Sequence, residues 1–135
     1  MNPDRYIKAM NYHIEQAVAL YLKGMAYYNE LEQEIENLKK KVDILDIKSA
    51  TVFGLMSNIE YIKSVLEEIE YLEKEKEKLK ADLDELREDI KLRYGQKKAF
   101  EILIKKYKEK EEMLDRKKEI EVAEEVYRSK LINSK

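Results

Sequence analysis

From Ile7 to Leu45 the chain places an apolar or small residue at alternating steps of three and four. The series is Ile7, Met10, Ile14, Ala17, Tyr21, Gly24, Tyr28, Leu31, Ile35, Leu38, Val42 and Leu45. Only Ala17 and Gly24 are poor fillers. A straight α-helix drifts by about 20° per heptad from a seven-residue repeat, so a continuous stripe requires a left-handed supercoil with a partner helix. The stretch is therefore a coiled-coil strand, and the partner must come from the rest of the chain or from outside it.

Composition narrows the class. The 135 residues are 41% charged, with three Gly, one Pro, no Cys and no Trp. This is long-helix or coiled-coil usage, and no alternating β-branched run framed by turn residues signals a strand. The expected fold is all-α, a long antiparallel two-helix coiled coil in one domain over residues 1–135. Its stability should come from a thin seam and not from a compact core. The net charge of -2, with both signs interleaved, argues against a nucleic-acid partner. No apolar run approaches the roughly 20 residues of a membrane span. No signal-peptide core follows Met1–Arg5, so a cytoplasmic location is expected.

Asn2, Pro3 and Asp4 read as cap, first helical residue and dipole-matched acid, starting a helix over about 3–47. Its first half is richer in apolar residues than one seam needs. Tyr6, Tyr12, Val18, Leu20, Leu22, Met25 and Tyr27 lie off the register. They serve either packing against the C-terminal end of the same chain or docking of another protein. The register lapses after Leu45. Ser49, Thr51, Gly54 and Ser57-Asn58 place a reversal between about 46 and 58.

The second helix, about 52–132, reads Ile59, Ile62, Leu66, Ile69 at heptad spacing. A three-residue step to Leu72 then implies a stammer. Leu72, Leu79, Leu83, Leu86 and Ile90 continue, with Lys76 on the seam. Gly95 either ends a helix, giving a three-helix bundle, or sits inside one at a cost of about 1 kcal/mol relative to Ala. The lack of turn residues beside it favours the interior reading. Further on, Phe100, Leu103 and Tyr107 hold one register, and Met113, Ile120, Ala123 and Tyr127 another. Residues 96–118 carry nine basic against five acidic side chains, net +4, whereas 60–89 carry six against twelve, net -6. Such a dipole either matches charges across the hairpin or steers partners.

Catalytic and metal chemistry find little here. One His and no Cys argue against a zinc site or a di-iron bundle, which needs Glu-x-x-His twice. No phosphate loop, nucleophile elbow or Gly-Lys-Ser occurs. His13 reads as a seam flank. A non-enzymatic protein without cofactor or metal is expected.

Residues 46–127 resemble the FliJ/YscO family of type III secretion systems. The resemblance rests on the small-residue turn Ile47–Thr51, the patch Tyr61-Ile62-Lys63-Ser64-Val65-Leu66, and the charged heptads with Leu79, Leu83 and Leu86. It continues through Lys97–Leu103 and Arg116–Glu125. The chain departs from the family pattern at Glu121-Val122, where the family has Asp-Glu. The resemblance implies a stalk-like antiparallel coiled coil that binds the export ATPase hexamer, promotes its assembly and activity, and contacts the export-gate membrane protein. In flagellar members it also implies work with export chaperones. It further implies a monomer, cytoplasmic and peripheral to the inner-membrane export apparatus. By position, Ser57, Asn58, Tyr61 and Val65 would form the gate-side surface. The ring-side end would lie in 6–21 and 119–131, with Tyr6, Tyr12, Tyr21, Ile120 and, just before Arg128, Tyr127. A generic coiled-coil scaffold or homodimeric adaptor is the alternative, with the first-helix seam pairing in trans. A prefoldin-like holdase would require strands between 46 and 58.

Overall fold

The computed structural model describes residues 2–48 and 52–133, leaving out the side chains of 46–48, 52, 53, 55 and 57. They form two helices, α1 (Pro3–Lys48) and α2 (Val52–Asn133), with no strand among the described residues. The all-α two-helix hairpin is the observed fold. The start of α1 follows from its sequence. The Asp4 N–H donates to Asn2 Oδ1 at 3.1 Å and the Arg5 N–H to the Asn2 carbonyl at 3.2 Å. These bonds satisfy two of the donors that a helix leaves open at its start.

α1 ends at Lys48 and α2 starts at Val52, and the caps expected at Ser49 and Thr51 lie outside the described residues. Gly54 and Asn58, expected within the reversal, are inside α2. So is Gly95, with no positive φ and open space where a Cβ would stand. The alternative turn at Gly95 is thus not taken. A glycine there costs propensity, but without Pro or a capping residue beside it nothing stops the helix.

Two compact units emerge: Tyr12–Leu92, and Met1–Asn11 with Arg93–Lys135. In the first, α1 and α2 run antiparallel. Gly24 lies against Leu83, Glu32 against Lys76, and Lys39 against Glu73, so one residue number rises as the other falls. Leu31, Ile35, Val65, Ile69 and Leu72 form the core, flanked by Leu38, Val42 and Leu79, with Ile14 and Leu83 also buried. In the second unit, the first turns of α1 lie against α2 near Phe100, where the Tyr6 ring meets the Phe100 ring edge-on at 6.1 Å.

Every residue of the α1 stripe from Ile7 to Leu45 is buried or half-buried. The α2 stripe differs from its expected phase. From Asn58 on, a seam of buried or half-buried positions runs Asn58, Ile62, Val65, Ile69, Leu72, Lys76, Leu79, Leu83, Leu86, Ile90, Arg93, Lys97, Phe100 and Ile104, with half-buried Glu75 and Asp89 beside it. From Asn58 to Ile104 steps of four and three alternate without exception, so no stammer exists. Ile59 and Leu66, placed on the seam by sequence, are each 51% exposed, whereas Val65 is 5% exposed. The apolar cluster 59/62/65/66/69 permits two phases, and the α1 face selects the one that runs on unbroken into Leu72. Likewise Ile104 faces inward and Leu103 is exposed.

Candidate protein-binding surfaces

The seam leaves three surfaces that bear on binding. The first lies beside Gly24. With no side chain at this position the helices approach closely, and a Cβ would stand 2.6 Å from Leu83 Cδ2. On the flank of this contact Leu20, Leu79, Leu83 and Leu86 line an open groove of about 470 Å³ rimmed by Asp82, Glu85 and Asp89. The off-register Leu20 stays 60% exposed at its edge.

The second surface is a cleft of about 850 Å³ where α1 begins, lined chiefly by Tyr6, Phe100, Leu103, Ile104 and Tyr107. The third is the remainder of α2. From Lys105 to Asn133 every residue is exposed, and the last half-buried residue of α2 is Ile104. This stretch of 29 residues, about 43 Å of helix, shows Met113, Ile120, Val126, Tyr127 and Leu131 at its surface. Ile120, Ala123 and Tyr127 with Glu124 and Arg128 make a shallow concavity.

The sequence-derived contact residues divide among these environments. Tyr6 is half-exposed over Phe100, which supports same-chain packing for this off-register residue. Tyr12 is exposed, its ring edge-on to His13 at 5.7 Å. Tyr21 is a half-buried seam residue, as is Asn58 on α2. Tyr61 is half-exposed. The Ser57 side chain lies outside those described. Val65 is placed in the core, since the α2 phase turns it toward α1; it has no surface to offer a partner. Ile120 and Tyr127 are exposed on the unpaired part of α2. Tyr6 meets Phe100 and not the 119–131 segment, which begins about 28 Å further along the helix. The expected joining of both termini in one surface is therefore not made by side-chain contact.

Sequence reading missed the polar cluster built on Lys76. Its ammonium lies 3.2 Å from Glu32 Oε1 and 5.2 Å from the Tyr28 ring centroid. The hydrogen bond to Glu32 raises the Lys76 pKa above its ordinary 10.5 against the opposing pull of burial, and the charge of Glu32 and the Tyr28 phenol add to the rise. Lys76 on the seam was legible, but its partners required the register. The seam accepts this cation because Tyr28 offers a ring face and Glu32 a carboxylate.

Among the described residues, no group of His, Cys, Asp and Glu is arranged to hold a metal ion, and no helix is long and apolar enough to cross a membrane. The surfaces are open apolar strips with charged rims, suited to helix-in-groove contact with protein. No family model matches the chain, and comparison with curated proteins and with solved structures finds no match.

Proposed function

We propose that the chain is a non-enzymatic, stalk-like component of a type III protein export apparatus, which binds the export ATPase hexamer, promotes its assembly and activity, and contacts the export gate. The observation that carries the reading is the inequality of the two helices. The seam of α1 is filled by α2 of the same chain, so the hairpin needs no partner in trans. Beyond Ile104 α2 continues alone, with Ile120 and Tyr127 exposed. A paired coil that releases a single helix offers a firm handle and a free binding strip. This supports the stalk reading over a homodimeric adaptor built on the α1 seam.

Ile120 and Tyr127, exposed on α2, supply ring-side contacts, as do Tyr6 and Tyr12 on α1; Tyr21, half-buried in the seam, serves the pairing of α1 with α2. Tyr61 with Asn58 and Ser57 supplies the gate side. Val65 drops out of that surface because it is core. The protein works in the cytoplasm beside the inner-membrane export apparatus, where export chaperones are further partners.

The test is ATPase turnover by the host's export ATPase with and without this protein, with hexamer formation followed in parallel. Stimulation and assembly, both lost in Ile120→Ser/Tyr127→Ser with helicity retained, are expected. A folded protein that neither binds nor stimulates the enzyme would sink the proposal.

A further inference from the structure

The two units divide the charge of the chain sharply. Tyr12–Leu92 holds nineteen acidic and twelve basic residues, net -7, whereas Met1–Asn11 with Arg93–Lys135 holds ten and fifteen, net +5. The acid-rimmed groove of Leu20, Gly24, Leu79, Leu83 and Leu86 belongs to the negative unit. The positive unit carries an amphipathic strip of matching character. Leu103, Tyr107 and Leu114 lie along one face of α2 at helical spacing, all well exposed. Lys106, Lys110 and Lys117 run beside them on the same side at steps of four and seven, which one helix face requires.

We infer that the groove beside Gly24 receives the basic strip of a second copy of this chain. Leucines meet Leu103 and Tyr107, and the lysine row meets Asp82, Glu85 and Asp89 at the rim. The second copy is the occupant because this chain carries both halves of the match. The apolar groove alone would accept many helices, but its acidic rim selects one with lysines flanking the stripe. The free protein is then a reversible, salt-sensitive self-associating species and not the monomer that the resemblance implies. The inference stands apart from the export reading and needs no export ATPase.

Sedimentation equilibrium of the full chain tests it. In low salt (roughly 50 mM, Debye length about 14 Å) the mass should rise above 16.2 kDa with concentration, and fall back at roughly 1 M, where screening shortens to about 3 Å. Lys106→Glu/Lys110→Glu/Lys117→Glu and Asp82→Lys/Glu85→Lys should each be monomeric, and mixing the two variants should restore association. The chain has no Cys, so Leu20→Cys and Tyr107→Cys report the contact directly, forming a disulfide-linked dimer when mixed. A monomer at every salt concentration overturns the inference. So does association that both charge reversals leave intact, or a mixture in which only like variants cross-link.

Discussion

Replacing Gly24 by alanine sets two effects of known size against each other. In an open helix the change gains about 1 kcal/mol of propensity. At Gly24 the new methyl would stand 2.6 Å from Leu83 Cδ2, with Leu83 Cγ at 3.6 Å. Leu83 is 6% exposed, so its rotation must displace seam neighbours, and forced overpacking of this kind costs about 1–3 kcal/mol. The net expectation for Gly24→Ala is a loss of about 1 kcal/mol. With a slope of about 2 kcal/mol per molar urea, the midpoint should fall by about 0.5 M. Gly95→Ala is the control, because nothing lies within 4 Å of its Cβ position; it should stabilise by the propensity term alone. Leu83→Ala removes the obstacle. In that background Gly24→Ala should become stabilising, giving a coupling of about 2 kcal/mol between the two sites. The assay is urea unfolding followed by helical circular dichroism. A Gly24→Ala midpoint that rises as far as that of Gly95→Ala would refute the close-approach argument, whatever Leu83→Ala does.

Three further outcomes follow from the seam. Val65→Ala should destabilise the hairpin by about 1–3 kcal/mol and Leu66→Ala by at most about 0.5, in the same urea assay; equal losses would contradict the α2 phase. The Asn2→Ala substitution removes the bond to the Asp4 N–H and should cost about 1 kcal/mol of local helix stability, read as faster amide exchange in the first turn of α1. Lys76 has a raised folded pKa, so its ion pair contributes fully below the unfolded value of 10.5 and is lost as pH rises through the folded value. The stability of the wild type relative to Lys76→Met should therefore be flat from neutral pH to about pH 10 and decline above it. A difference that grows with alkalinity would overturn the Glu32–Lys76 assignment.

The candidate surfaces were legible to different depths. Spacing puts Ile120 and Tyr127 in one register with Ala123, but their role as contacts came only from the family resemblance; the structure leaves both exposed. Tyr61 was found by its place in a family-like patch, and the structure leaves it half-exposed. Val65 was misplaced for a local reason. Two adjacent β-branched or branched residues, Val65 and Leu66, fit the heptad equally well in isolation, and spacing cannot break the tie. The groove beside Gly24 was invisible, since a glycine in a stripe reads as a weak filler until the facing leucine is known.

The sequence by itself determined α1. Twelve positions in one register specify a buried face without reference to the partner, because a 3-4 stripe on a helix can point only one way. It also determined the cap at Asn2 and the charge asymmetry, both of which depend on neighbours along the chain. Tertiary structure decided the phase of α2, the identity of the groove, and the point at which pairing stops. An apolar run wide enough for two registers takes the one its partner's face accepts. Among the described residues, α2 keeps buried or half-buried positions up to Ile104 and is exposed from Lys105 to Asn133.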